Sequence, residues 1–180
     1  MRIIGGTYRG KKLYSPASTA VRPTADRARE AVFNILNSKL GGDWSSVELL
    51  ELFTGSGAFA LEALSRGVAK VCMADIDLRD AKRNVALFPQ EANKIKMLKA
   101  DVTKMPQAAE KYNLLFMDAP YNQGLSEPAL AEVAAKGWLA DDCLCVVEVE
   151  KNESFVPPQG FSVEDERIYG LAKFWFLTLK

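Results

Sequence analysis

The chain predicts an α/β fold, a seven-stranded and mostly parallel sheet with helices on both faces. Three observations carry that reading. Short apolar runs alternate with helix-like segments from residue 47 to residue 149, the rhythm of strands and helices wound into a parallel sheet. A glycine pair, Gly55-Ser56-Gly57, stands at the first strand-to-helix junction, where glycine lets the backbone turn tightly and approach a ligand. The last stretch drops the helices: residues 161–168 and 171–179, joined at Tyr169-Gly170, read as an antiparallel hairpin at the sheet edge.

Taken in order, residues 2–15 alternate short β-like runs around Gly5-Gly6 and Gly10, which predicts a small hairpin, and residues 16–23 form a linker. Thr24 caps a helix over 25–40, with Asp26 near its positive end and Val32, Phe33, Leu36 and Leu40 along one face. Gly41-Gly42 stops it. Strands follow at 47–52, 70–74, 95–99, 112–117 and 144–149. Between them lie helices at 58–66 (stopped by Gly67), 78–88 (stopped by Pro89), near 103–110, and at 127–136 with Pro128 in its first turn. Five parallel strands and a two-stranded hairpin make seven.

Length and composition narrow the function classes. A chain of 180 residues, 48% hydrophobic, buries one substantial core with little room for a second full domain. No run approaches the ~18–20 apolar residues of a membrane span, and the opening Met1-Arg2-Ile3-Ile4-Gly5-Gly6 lacks the apolar region of a signal peptide, so the expected setting is cytoplasmic. Cys72, Cys143 and Cys145 fall inside apolar runs without zinc or redox spacing, and read as buried free thiols. There is no histidine, which removes Ser-His and Cys-His machinery and the commonest zinc ligand. No metal site is expected.

The zero net charge conceals a polarised chain. Residues 1–39 hold eight basic side chains (Arg2, Arg9, Lys11, Lys12, Arg22, Arg27, Arg29, Lys39) against Asp26 and Glu30; the rest of the chain carries 15 basic and 21 acidic. A basic segment interleaved with Tyr8 and Tyr14 can hold phosphates by charge and bases by stacking. The same composition also suits a solvated surface hairpin.

Chemistry concentrates at strand ends. Asp118-Ala119-Pro120-Tyr121 follows the run 112–117 and sets a carboxylate, backbone carbonyls and a flat ring around one cavity. A carboxylate and a carbonyl can accept both protons of an exocyclic amine while the ring stacks on its base; Asp-x-Pro is also ordinary turn chemistry. Upstream, Glu51-Leu52-Phe53-Thr54-Gly55-Ser56-Gly57-Ala58-Phe59-Ala60 forms a nucleotide-type pocket. Its Gly55-x-Gly57-x-x-Ala60 pattern fits the dinucleotide fingerprint too, which keeps a nicotinamide or flavin enzyme in view. Asp75 closes the next strand, where a ribose-binding acid lies in a βαβ unit, and Asp101 closes the third. Asp75, Asp77 and Asp101 could equally cap the segments that follow.

Together these residues resemble the class I S-adenosylmethionine-dependent methyltransferases, with their Rossmann-like sheet of five parallel strands and a terminal hairpin containing one reversed strand. Within that group, three motifs look like the bacterial 16S ribosomal RNA guanine-N2 methyltransferase family: Met1-Arg2-Ile3-Ile4-Gly5-Gly6-x-x-Arg9-Gly10, Arg22-Pro23-Thr24-x-Asp26-Arg27-x-Arg29-Glu30, and Leu61-Glu62-Ala63-Leu64-Ser65-Arg66-Gly67. The resemblance covers nearly the whole chain. It implies that Glu51, Phe53, Gly55 and Gly57 wrap the methionine part of S-adenosylmethionine, that Asp75 holds the ribose and that Asp101 lies by the adenine. Ile76, Val102 and Asp118 complete that cofactor set. Asp118, Ala119, Pro120 and Tyr121 would receive the guanine amine, and Arg9, Lys11, Arg22, Thr24, Arg27, Arg29 and Tyr121 would contact RNA. The implied partner is 16S RNA, within an assembling or assembled 30S subunit, met by a monomer whose residues 1–42 form an RNA-binding hairpin and helix and whose residues 43–180 form the methyltransferase domain. A methyltransferase acting on adenine N6 or a glutamine amide would use similar strand-end chemistry, and a noncatalytic RNA-binding protein would use the same basic arm. One departure stands out: the family's Asp-Pro-Pro has Ala119 in place of the first proline. The carbonyl of residue 119 survives, so an acceptor pair with Asp118 can still form, and what the alanine gives up is rigidity.

Overall fold

The computed structural model describes residues 1–16 and 23–180. Among these, α1 (Pro23–Lys39), β1 (Glu48–Leu52), α2 (Ala58–Arg66), β2 (Lys70–Asp75), α3 (Arg79–Val85), β3 (Ile95–Lys99), β4 (Tyr112–Asp118), α4 (Ser126–Ala135), β5 (Leu139–Glu150), β6 (Phe161–Tyr169) and β7 (Ala172–Leu179) follow in order, with a 3₁₀ turn at Pro89–Lys94. The seven strands form one sheet in the order β3-β2-β1-β4-β5-β7-β6. Strands β1 to β5 pair in parallel, whereas β7 runs antiparallel to both β5 and β6. This is the Rossmann-like class I methyltransferase fold with its one reversed strand, as expected.

The two-residue period of the strands divides the interior. Leu49, Leu114, Phe116 and Val146 face a core built with α1, α2 and the amino-terminal segment; Leu50, Leu115, Met117 and Val147 face a second core with α4 and Trp138. Helices therefore cover both faces. An aromatic file of Trp44, Phe33, Phe59 and Phe116 crosses the first core, ending in a stacked pair at 3.7 Å between α2 and β4. Trp44 and Trp138 are buried as packing residues, and the three cysteines are free and buried, as expected.

Several local expectations are corrected. The hairpin at residues 2–15 is held by one antiparallel bridge, Arg2 to Lys12, flanked by bonds from Ile3 N to Lys11 O and Leu13 N to Met1 O. Helix α1 starts at Pro23, which is suited to a first turn whose N–H needs no partner, so Thr24 lies inside the helix rather than capping it. No helix forms at 103–110: Asp101 captures the Thr103 N–H, Pro106 supplies no donor, and Ala108 N and the Gln107 side chain both bond to Lys136 O. Helix α3 is shorter than expected, closing at Val85 through tight turns from Leu87 N to Asn84 O and Phe88 N to Val85 O. Strand β5 begins five residues early, because Leu139 pairs with Tyr112 while the exposed Asp141 and Asp142 interrupt the apolar pattern. No helix among the described residues is long and apolar enough to cross a membrane.

Candidate active site

The sheet order reverses between β1 and β4, and a crevice at the carboxyl ends of strands on either side of such a switch is where open α/β sheets bind ligands. Both sequence-predicted motifs end there. Glu51 is on β1, Asp118 on β4, and Glu148 on β5 directly opposite Asp118 in register. By the strand period all three carboxyls emerge on the α1–α2 face, the side of Leu49, Phe116 and Val146.

Burial and crowding shape these acids differently. Glu51 is fully enclosed; its Oε2 accepts the Thr54 hydroxyl at 2.5 Å and it accepts the Ala60 N–H in the first turn of α2. Burial pushes its carboxyl up to about 8, with Asp75 adding to the effect while Thr54, Ala60 and Arg29 oppose it. Asp118 is accessible to solvent at its strand end yet hemmed in by protein. Desolvation first, then Glu148 and Glu51, hold its carboxyl well above the usual carboxylate range. Asp118 accepts no hydrogen bond among the described residues, so both its oxygens are available to a ligand. Glu148 is also raised by burial, against the Tyr121 hydroxyl that donates to its Oε1 at 2.8 Å. That bond anchors Tyr121, a residue 38% exposed beside Asp118. Ala119 is buried and Pro120 exposed, so the tetrapeptide turns at the cleft rim.

The glycine loop adjoins this acid cluster. Gly57 adopts φ 76 as it opens α2, a backbone conformation that side chains disfavour, although a Cβ there would make only ordinary contact with Met73 and Ala81 at 3.4–3.6 Å; Gly55, at φ 52, has nothing within 4 Å of where a Cβ would stand. The loop thus presents bare backbone to open space. Asp75 pins it, accepting the Gly55 N–H at 2.9 Å through one oxygen and Asp77 N at 3.1 Å through the other. Phe53 enters the loop with φ 54 and packs on the second core. Ile76, 67% exposed, offers an apolar platform beside Asp75. Val102 is buried, and Asp101 is exposed, its carboxyl lowered by the Thr103 hydroxyl and N–H. Asp77 caps locally: bonds from the Arg79 side chain and N–H bring it to about 2. These features suit a cationic nucleoside such as S-adenosylmethionine: carboxyls for positive charge, bare backbone for close approach, an apolar face for a base. Among the described residues no cluster of three acids, cysteines or histidines could hold a metal ion.

The basic residues divide. Arg9 and Arg27, with Arg2, Asp26 and Glu30, line a cleft of about 440 Å³ between the hairpin and α1. Arg29 turns inward instead, with its side chain 10% exposed, donating to Arg2 O and Asp26 and lying 4.0 Å from Glu62. Lys11 bonds to Leu87 O and sits 4.5 Å above the Phe88 ring. Arg22 and the side chain of Thr24 lie outside the described residues.

Sequence reasoning did not single out three further side chains. Glu62, fully buried on α2, accepts Ile4 N and Gly5 N at 2.8 Å each and Arg66 Nε at 3.0 Å; with Ser65, which bonds Gly5 O and Tyr8 N, it clamps the amino-terminal segment to α2. A lone acid in a helix buried along nearly its whole length was the available signal. Glu148, an acid inside an apolar run, was another. Asn84, buried and polar, carried none.

The model of the family described as Conserved hypothetical protein 95 matches residues 1–178. The chain is 32% identical over 180 residues to the Ribosomal RNA small subunit methyltransferase D of Haemophilus influenzae, covering 97% of this chain and 91% of that one. It is 34% identical over 173 residues to the protein of that name from Escherichia coli K12, covering 94% and 85%. A solved structure from Escherichia coli superposes with a TM-score of 0.81 at 30% identity, covering 100% of this chain and 98% of the other.

Proposed function

Because this chain belongs to the family of the Ribosomal RNA small subunit methyltransferase D proteins, we propose that it is a methyltransferase that moves the methyl group of S-adenosylmethionine to the exocyclic N2 of a specific guanine in 16S ribosomal RNA. The observation that carries the reading is Asp118: an accessible carboxyl with no protein hydrogen bond among the described residues, flanked by the anchored Tyr121 ring and the residue 119 carbonyl, at the switch point of the sheet.

S-adenosylmethionine, when bound, supplies an electrophilic methyl on a sulfonium that departs as a neutral thioether. The protein's task is to present the amine. The N2 lone pair of guanine is delocalised into the ring, so the site must orient the NH₂ and favour its tetrahedral form. The Asp118 carboxylate and the residue 119 carbonyl accept its two protons, and the electrostatic stabilisation grows as positive charge develops on nitrogen. Tyr121, held by Glu148, stacks on the base. The surplus proton passes to Asp118, whose raised affinity for protons suits it to accept, or to water. Glu51, Phe53, Gly55, Gly57, Asp75, Ile76, Asp101 and the Val102 backbone form the cofactor side.

In this reading residues 1–42 are the RNA-contacting extension and residues 43–180 the methyl-transfer domain, a functional division, since Ile3, Val32, Phe33 and Leu36 share one core with α2 and the sheet. Arg9 and Arg27 in the cleft meet phosphates, and Lys11 and Arg29 hold that cleft's walls. The protein acts as a cytoplasmic monomer on an assembling or assembled 30S particle. The test is transfer of labelled methyl from S-adenosylmethionine to unmethylated 30S subunits and naked 16S RNA, with nucleoside analysis. N2-methylguanosine at one site is the expected product. Asp118→Ala should lower turnover by roughly 10²-fold or more with cofactor affinity nearly unchanged; wild-type turnover in that variant would sink the assignment.

A further inference from the structure

Asn84, in the last turn of α3, has no surface exposed to solvent. Its Oδ1 accepts the Tyr14 N–H at 2.7 Å, and its Nδ2 donates to Tyr14 O at 3.0 Å and to Ser56 O at 2.9 Å. The amide can sit only this way round, because a main-chain N–H must face its oxygen and two carbonyls must face its nitrogen. One buried side chain therefore holds both the residue by which the chain leaves the amino-terminal hairpin and the residue between the two glycines of the cofactor loop. A second contact reinforces the junction: the Ser56 hydroxyl lies 3.8 Å from Met1 Sδ, and Met1 O in turn accepts Leu13 N.

We infer that Asn84 is a positioning residue that couples the amino-terminal extension to the glycine loop, so that RNA held by the extension and S-adenosylmethionine held by the loop strengthen one another's binding. The inference rests on the function proposed above for the two ends. Its physical basis is the sharing of one buried amide. If either segment shifts, Asn84 keeps part of its bonds and buries the rest unpaired, which changes an equilibrium constant roughly tenfold. A ligand that fixes one segment removes that penalty for the other, and such coupling is reciprocal.

The test uses the full chain. Calorimetric titration gives S-adenosylmethionine affinity with and without saturating unmethylated 16S RNA, for wild type, Asn84→Asp and Tyr14→Ala. RNA should tighten cofactor binding by wild type roughly fivefold or more. Asn84→Asp keeps the size and the bond from Tyr14 N but has at most one proton to offer the two carbonyls that the amide NH₂ now serves. Its cofactor affinity without RNA should fall roughly tenfold, with the coupling factor dropping to about one. Tyr14→Ala removes the ring that Arg83 covers at 3.7 Å but keeps both main-chain bonds, and should retain the coupling factor whatever it does to RNA affinity. A folded Asn84→Asp protein with wild-type coupling overturns the inference. If circular dichroism shows that variant unfolded, Tyr14→Pro deletes the donated N–H without touching the core; loss of coupling is expected there, and retained coupling overturns the inference equally. Wild type that binds cofactor but no RNA would defeat the proposed substrate instead. The RNA-free titration would then decide, since unchanged cofactor affinity in Asn84→Asp excludes a role for Asn84 at the loop.

Discussion

Replacing Glu51 by glutamine should make the protein more stable in mild alkali and worse at its task. The carboxyl is enclosed, and its affinity for protons is raised from 4.5 in the unfolded chain to about 8 in the fold. Below pH 4.5 both states hold the proton and Glu51 adds no pH dependence. Between 4.5 and 8 the unfolded chain releases its proton first, so folding loses about 1.4 kcal/mol per pH unit, or about 3–5 kcal/mol by pH 8.5. Glutamine cannot ionise and escapes that loss, but its NH₂ group displaces one of the two accepted bonds, from Thr54 or Ala60, at about 1 kcal/mol. The variant should thus be about 1 kcal/mol less stable than wild type at pH 4.5 and about 2–4 kcal/mol more stable at pH 8.5. Urea unfolding across that range, followed by fluorescence of the buried Trp44 and Trp138, measures the crossover. A stability difference that does not change with pH would refute the reasoning. The same substitution should weaken binding of the cationic cofactor, and wild type should release more protons on binding it than the variant does, because a positive ligand drives Glu51 to ionise.

Three further outcomes follow from the site. Glu148→Gln keeps an acceptor for the Tyr121 hydroxyl but removes a like-charged neighbour of Asp118, so the acid limb of the pH–rate profile should move to lower pH; an unmoved limb would show that Asp118 does not control it. Ala119→Pro should leave turnover within an order of magnitude and add about 0.4–1 kcal/mol of stability through the unfolded chain, whereas a much larger gain in rate would show that the native turn is poorly organised. Glu62→Ala strands Arg66, Arg29 and two main-chain donors and should cost about 3 kcal/mol, a fall of roughly 6–12 °C in Tm; near-native melting would mean the amino-terminal segment is held elsewhere.

What could be read from the sequence was local. The strand and helix alternation, the glycine loop and the acids at strand ends each leave a mark within a few residues, and the structure sets Glu51, Gly55, Gly57, Asp75 and Asp118 at or just beyond the carboxyl ends of the neighbouring strands β2, β1 and β4. What escaped depends on partners far along the chain. Arg29 and Lys11 look like free surface cations in a basic segment, but Arg29 meets Glu62 and Lys11 meets the Leu87 carbonyl, 33 and 76 residues away. Glu148 lies inside an apolar strand, and only its register opposite Asp118 gives it meaning. The helix expected at 103–110 failed because Lys136 O draws Ala108 and Gln107 into an extended path, a bond that no local propensity encodes.

The position of β7 has a consequence for how the molecule is made. Strand β5, which carries Glu148, has β7 as its neighbour on one side, and β6 reaches the sheet only through β7. During vectorial synthesis β6 emerges before the strand that must separate it from β5. Until residues 172–179 arrive, β5 presents an open row of unpaired amides and carbonyls, a template for any stray strand, including β6 in the wrong place. The half of the sheet that holds the acid cluster is therefore completed last, and a nascent chain on the ribosome can have its glycine loop in order well before it owns a finished wall on the other side of Asp118. Agents that pause synthesis after β6 should trap a species that aggregates through β5, and supplying residues 171–180 as a separate peptide should compete for that edge.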